Sequence, residues 1–102
     1  MLSTAEVIGS VSLPFKGYHS TEFSDDENTA YVACYDGGVC IVDITDKKNP
    51  QYKEHVDFPG YIHHITMSHD KKYIYAATYG SGLHIVDVAQ KKSVASIATT
   101  EP

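Results

Sequence analysis

An internal repeat limits the possible folds of this chain more than any other feature. The segment DGGVCIVDITDKKNP at residues 36–50 returns as GSGLHIVDVAQKKSV at residues 80–94, a shift of 44 positions. The same shift aligns residues outside these segments, and the pairs include His19 with His63, Ser24 with Ser68, Asp26 with Asp70, Tyr31 with Tyr75, and Tyr35 with Tyr79. Because one register persists through apolar runs and turns alike, we infer a duplicated structural unit.

Each copy has the pattern of four short β-strands. Runs rich in Ile, Val, Tyr and Thr are separated by FPG, HDKK and YGSG, which carry typical turn residues. The predicted strands are Tyr52–Asp57, Ile62–Ser68, Tyr73–Thr78 and Leu83–Val88. The runs YIYAA and IVDV are apolar almost throughout, so each sheet needs a cover on both faces. Sheets stacked around an axis meet that need, and 44 residues is a typical propeller blade length.

The repeated segments also resemble a known family. GGVCIVDITDKKNP and SGLHIVDVAQKK resemble the LVIVD repeat, and KYIYAATYGSGLHIVDVAQKKSVASI is similar to the related YVTN-type blade. The resemblance implies that the inner strand of each blade is the one before the S-x-D turn, here Tyr18–Ser24 and Ile62–Ser68. It also implies that Val94–Thr99 and Val7–Leu13 are outer strands. Propellers of this type serve as scaffolds, surface-layer proteins and enzymes, so the resemblance says little about function.

We therefore expect an all-β chain, a β-propeller fragment or module with two four-stranded antiparallel blades plus one extra outer strand. Residues 1–102 form a single module in this interpretation. The leading outer strand lies within residues 1–14, the first blade spans residues 15–57, and the second blade spans residues 58–102.

Two blades cannot close a ring, and a free blade face leaves an apolar patch. Three sources of further blades stay open: the rest of a longer gene product, copies of the same chain in a homo-oligomeric ring, or another protein. The net charge of −5 argues against nucleic acid as a partner. The sequence has no signal peptide and no apolar run long enough to span a bilayer, so we expect a soluble protein inside the cell, without a membrane partner.

Histidines and tyrosines are predicted to gather at one end of the propeller axis. His19, His63 and His64 lie where the chain enters inner strands, and Tyr35 and Tyr79 lie in turns at the same end. Propellers usually bind ligands there, so these five residues are the candidate ligand-binding set. Alternation along the strand directs His63 and His64 to opposite faces, so the pair does not form a ready chelate. Hence we expect no metal site, no cofactor and no catalytic residue within the chain.

A non-enzymatic role in protein binding or scaffolding is the preferred functional hypothesis. The alternative is part of a propeller enzyme, or a ligand-binding or metal-binding propeller that uses the axial histidines. Cys34 and Cys40 flank the turn YDGGV and are expected to form a structural, reduced pair, with a redox switch as the alternative. Asp43 and Asp87 are expected to accept backbone N–H bonds in the turns after their strands.

Overall fold

The computed structural model of the chain describes residues 6–98, apart from the side chain of His19. Eight strands occur within these residues, and no helix. The strands are β1 (Tyr18–Phe23), β2 (Thr29–Cys34), β3 (Gly38–Asp43), β4 (Gln51–Val56), β5 (Tyr61–Met67), β6 (Tyr73–Tyr79), β7 (Leu83–Asp87) and β8 (Lys92–Ile97). In the described part of the chain there is accordingly no helix that could cross a bilayer.

The strands form two four-stranded antiparallel sheets, in the orders β1-β2-β3-β4 and β5-β6-β7-β8. Each sheet is a meander of hairpins, and the register of pairing shifts at equivalent places in both. One shift falls between the first and second strands of each sheet, and the other falls between the third and fourth. The duplication seen in the sequence is therefore a duplication of the sheet, including its irregularities, and the two predicted blades are confirmed.

The turn between β1 and β2 shows how the sequence fixes each blade. The Ser24 hydroxyl donates to Asp26 Oδ1 at 2.7 Å and accepts the N–H of Thr29 at 3.1 Å. Asp26 Oδ1 also accepts the N–H of Asn28 at 2.9 Å, and Glu27 takes a left-handed φ of 59°. The hydrogen bonds from the Asn28 N–H and the Ser24 hydroxyl hold the pKa of the Asp26 carboxyl below its ordinary value.

The second copy builds the same turn between β5 and β6. Ser68 donates to Asp70 Oδ1 at 2.7 Å and accepts the N–H of Tyr73 at 3.0 Å, while Lys72 donates its N–H to Asp70 at 3.0 Å. The hydrogen bonds from the Ser68 hydroxyl and the Lys72 N–H lower the pKa of Asp70. Both turns are therefore stabilised by an ionised aspartate whose acceptor oxygen organises the loop.

The hydrophobic core lies between the two sheets. The first sheet contributes one face of β2 and β3, and the second sheet contributes one face of β5, β6 and β7. The three largest fully buried side chains, Ile62, Ile65 and Ile74, all belong to the second sheet. The inner strands also meet directly, because the N–H of Ile65 donates to Ser20 Oγ and that of Met67 donates to Glu22 Oε1, both at 3.0 Å.

The predicted leading strand, Val7–Leu13, is not formed, so the chain has eight strands in residues 6–98 and not the nine expected. An outer strand needs a free sheet edge beside it, and the described residues hold no third sheet to supply one. The segment instead crosses the outer face of the first sheet, where Gly9 lies against the backbone of Lys47. We call residues 9–17 the strap. The end of the predicted strand Val94–Thr99 lies outside the described residues, as do the ends of the module.

Candidate functional site

Four aromatic rings gather at one end of the paired sheets. Tyr35 follows the end of β2, Tyr61 and His63 lie at the start of β5, and Tyr79 ends β6, so the topology brings all four to the same edge. The rings of Tyr35 and Tyr61 stack with centroids 4.7 Å apart and planes 12° apart, and those of His63 and Tyr79 are 4.7 Å apart at 48°. We call these four residues the mouth cluster.

The backbone fixes the mouth cluster across both blades. The N–H of Ile62 donates to the carbonyl oxygen of Tyr35 at 3.1 Å, which joins the turn of the first blade to the inner strand of the second. Tyr61 and Tyr79 are direct partners in the register of β5 and β6. Tyr61 and Tyr79 are about half exposed, and Tyr35 is 37% exposed, so the rings present an apolar surface to solvent. Such faces bind planar or cationic groups by stacking.

Three of the five predicted ligand-binding residues, Tyr35, His63 and Tyr79, lie in the mouth cluster. His64 does not, because it pairs with Ala77, further along β6 from Tyr79, and its ring makes no contact with the four rings of the cluster. The side chain of His19 is not among the described ones, although its backbone lies in β1. A β-bulge between Ile62 and His64 interrupts the alternation that the sequence predicted, and it turns both Ile62 and Ile65 into the core.

Tyr61 was missed by the sequence reasoning. Its signal was its position opposite Tyr79 in a hairpin whose turn lies between Met67 and Tyr73. Within residues 6–98, no group of three or more His, Cys, Asp or Glu side chains is placed to hold a metal ion. Asp36 is adjacent to the cluster in sequence, but its Oδ1 accepts the N–H of Lys16 at 3.1 Å.

A second exposed feature is the outer face of the second sheet, which we call the open face. It is lined by alternate residues of β6, β7 and β8, and these are Tyr75, Ala77, Leu83, Ile85 and Ile97. Tyr75 is 37% exposed and Ile97 is 57% exposed. Their register is continuous, since Tyr75 pairs with Ile85 and Ala77 pairs with Leu83. The open face is thus a contiguous apolar stripe at one end of the two-blade stack.

The open face repeats, residue by residue, a face that the first blade buries. The shift of 44 positions places Tyr31, Ala33, Val39 and Ile41 on Tyr75, Ala77, Leu83 and Ile85. All four residues of the first blade lie in the core against the second blade. Tyr31 is 7% exposed where Tyr75 is 37% exposed. Equivalent side chains are therefore buried in the first copy and half-buried or exposed in the second.

Asp43, Asp87 and His84 are held in contacts with nearby residues. Asp43 Oδ1 accepts the N–H of Thr45, and Asp87 Oδ1 accepts the N–H of Gln90, both at 2.9 Å, which confirms the predicted turn-capping role. The ring of His84 is buried and stacks on Phe58 with centroids 4.7 Å apart, and its Nε2 lies 2.9 Å from Ser81 Oγ. Ser81 in turn donates to the carbonyl oxygen of Pro59.

A family model of the LVIVD repeat matches residues 26–58 and residues 60–97, which together make more than half of the chain. The chain belongs to the LVIVD repeat family. The first LVIVD match contains β2 to β4 and the second contains β5 to β8, so the two repeats correspond to the two sheets. Comparisons with curated proteins and with solved structures gave no match. The LVIVD repeats make the chain a propeller-type module; the likeness to YVTN-type blades stays a prediction.

Proposed function

We propose that this chain is a non-enzymatic protein-binding module and that its open face accepts a further LVIVD-type blade. The observation that carries the proposal is the equivalence of the open face with the core face of the first blade. Where Tyr31, Val39 and Ile41 are buried against a second blade in the first copy, the second copy leaves Tyr75 exposed and Leu83 and Ile85 partly exposed. A surface that already fits a blade in one copy has the chemistry to fit one in the other.

The energetic scale supports docking at this face. Burial of apolar surface contributes about 25 cal/mol per Å², and a large aromatic side chain buries roughly 150–250 Å². Burial of the exposed parts of Tyr75 and Ile97 alone therefore stabilises a docked blade by on the order of a few kcal/mol. The rest of the stripe adds to this value. Covering the face also removes an exposed apolar patch that invites non-specific association. The outer face of the first blade does not require a docked blade, because the strap lies over it.

Two variants on β8 test the proposal. Ile97→Asp places a charge on the open face, and Val94→Asp makes a comparable change at an exposed residue of the same strand that lies off the face. We expect the purified chain to associate in a concentration-dependent manner in size-exclusion chromatography with light scattering. Ile97→Asp weakens this association by about tenfold or more, whereas Val94→Asp leaves it unchanged, since an unpaired charge is costly in an apolar interface.

The measured mass distinguishes the source of the docked blade. A closed assembly of the pure chain indicates copies of itself, and stabilisation only by an added polypeptide that contains further LVIVD blades indicates a continuation of the gene product or another protein. A monodisperse monomer that unfolds cooperatively and gains no stability from added blades contradicts the proposal.

The second candidate function is ligand binding or catalysis at the mouth cluster, favoured by the exposed ring pairs Tyr35–Tyr61 and His63–Tyr79. His63→Ala and His64→Ala separate it from the first. His63 touches the cluster and His64 does not, so loss of bound ligand or turnover in the His63 variant alone supports a site at the mouth. Loss of solubility or stability with ligand content unchanged supports a packing role.

A further inference from the structure

Two thiols face each other beneath the strap. Cys34 ends β2 and Cys40 lies in β3, and their Sγ atoms are 3.0 Å apart as free thiols. In the hairpin register Cys34 pairs with Gly38 and Cys40 pairs with Val32, so the two cysteines are diagonal neighbours on one face of the sheet. A disulfide bond is about 2.05 Å long, so the sulfurs need to approach by about 1 Å. That movement lies within the reach of side-chain rotation.

The thiols are shielded from solvent. Both cysteines are fully buried, on the sheet face that the strap crosses. The ring of Phe15, in the strap, lies over Gly37 and packs edge-on against His55 with ring centroids 4.7 Å apart. Gly37 has to lack a side chain here, because a Cβ would fall within the Phe15 ring. His55 is the direct strand partner of Cys40. We therefore infer that Phe15 is part of the layer that covers the two thiols.

Hydrogen bonds and this ring hold residues 13–17 of the strap. The N–H of Lys16 donates to Asp36 Oδ1 at 3.1 Å, and the N–H of Tyr35 donates to the carbonyl oxygen of Gly17 at 2.8 Å. The hydroxyl of Tyr18 donates to the carbonyl oxygen of Leu13 at 3.3 Å. No residue of the strap belongs to a strand, and a segment without ladder hydrogen bonds opens at lower free-energy cost than a sheet. Local opening of the strap therefore exposes the thiols without unfolding the blade.

We propose that Cys34 and Cys40 form a reversible thiol–disulfide modification site that the strap gates, with a low-molecular-weight disulfide such as glutathione disulfide as its oxidant. The hydrogen bond with Cys40 lowers the pKa of Cys34, and the same bond together with burial raises the pKa of Cys40. Cys34 is accordingly the first nucleophile, because the thiolate is the attacking species. It also lies at the end of its strand, beside the turn that Phe15 covers.

The reaction proceeds through two exchanges. The Cys34 thiolate attacks one sulfur of glutathione disulfide, that S–S bond breaks, and one glutathione leaves with the proton that Cys34 released. Cys40 then loses its proton and attacks Sγ of Cys34, which releases the second glutathione and closes the intrachain disulfide. Two cysteine thiols are oxidised and one glutathione disulfide is reduced to two glutathione thiols. An excess of reduced glutathione reverses both exchanges and restores the two thiols.

The test measures the disulfide directly. The reduced chain is equilibrated in buffers of varying glutathione to glutathione disulfide ratio, quenched with acid and alkylated, and its mass is determined. We expect the wild-type chain to lose two hydrogens as the buffer becomes oxidising and to regain them as the ratio is reversed. Cys40→Ala stops at the glutathione adduct on Cys34. Cys34→Thr, which uses the residue that the second blade carries as Thr78, gives no intrachain disulfide and retains the fold.

The rate of oxidation tests whether the strap controls access to the two thiols. Phe15→Ala removes the ring over the thiols, and we expect it to speed oxidation by about tenfold or more. Val11→Ala, elsewhere on the strap and 38% exposed, is the matched control and leaves the rate within about twofold. If no intrachain disulfide forms in any buffer while both thiols react in denaturant, the site is refuted. If the oxidation rate equals the rate of global unfolding in both variants, the gate is refuted.

Discussion

The clearest test of the fold compares one substitution at two equivalent positions. Tyr31 and Tyr75 occupy equivalent positions in the two blades. Each side chain lies on the face of its sheet that is turned away from the part of the chain preceding that blade. The second blade covers Tyr31, whereas Tyr75 lies on the open face. Replacing each tyrosine with alanine therefore changes the same chemistry in two environments that differ by one neighbouring sheet.

The expected difference follows from the exposed fractions. Tyr31 retains 7% of its accessible surface and Tyr75 retains 37%. For a side chain that buries on the order of 200 Å², this difference is about 60 Å², which corresponds to about 1.5 kcal/mol at ~25 cal/mol per Å². Removing a buried large aromatic side chain costs roughly 3–5 kcal/mol. We expect Tyr31→Ala to lower the free energy of unfolding by about 3–4 kcal/mol and Tyr75→Ala to lower it by about 2 kcal/mol.

Urea denaturation followed by far-ultraviolet circular dichroism measures both values. The comparison requires m-values that match the wild type, so that the change in midpoint reports stability. At the lowest protein concentration the costs should differ by about 1.5 kcal/mol. Under conditions where a blade docks, the cost of Tyr75→Ala should approach that of Tyr31→Ala. Equal costs at the lowest concentration, without association, refute the assignment of Tyr75 to an open face.

Further predictions concern the turns and their pH dependence. Gly82 and Gly80 both have left-handed φ, at 83° and 94°, but a Cβ at Gly82 meets the carbonyl oxygen of Ile97, whereas at Gly80 it meets nothing within 4 Å. We expect Gly80→Ala to cost about 1 kcal/mol and Gly82→Ala at least about 2 kcal/mol, measured by urea denaturation; equal costs contradict the contact. The lowered pKa values of Asp26 and Asp70 mean that these groups contribute stability above about pH 4, and that it is lost as the pH falls through the folded values. Urea midpoints against pH should therefore decline less steeply in Asp26→Asn and Asp70→Asn than in the wild type, and an unchanged slope contradicts the role of the turns.

The sequence predicted the architecture well because the same pattern of strands and turns occurs twice along the chain. The run at Ile41–Asp43 and its copy at residues 85–87 mark the third strand of each blade, and the S-x-D turns mark where each inner strand ends. Strand limits agree with the structure to within one or two residues. Apolar runs between turn residues locate these elements, and the resemblance to the LVIVD repeat supplies their order from inner to outer strand.

The errors have physical causes that a linear pattern does not contain. Alternation placed His63 on the same face as Ile65, but the bulge before His64 adds a residue and breaks the count. Bulges depend on how two strands pair, so one strand does not reveal them. The segment Val7–Leu13 has strand composition, yet a strand exists only where another edge accepts its hydrogen bonds. Tyr61 was overlooked because its importance arises from a ring in another turn, Tyr35, which only the packed blades bring near.

The strap packs on the first blade in the same way that the connection between the blades packs on the second blade. Phe58 precedes β5 and stacks on His84, and Phe15 precedes β1 and covers the side where Cys40 lies. Cys40 and His84 are equivalent under the shift of 44 positions. In each blade an aromatic ring on the incoming chain thus packs at this position: Phe58 on His84 itself, and Phe15 on His55, the strand partner of Cys40. The strap covers the outer face of the first blade, whereas no segment within residues 6–98 covers the open face, so we expect a further blade to dock at the open face.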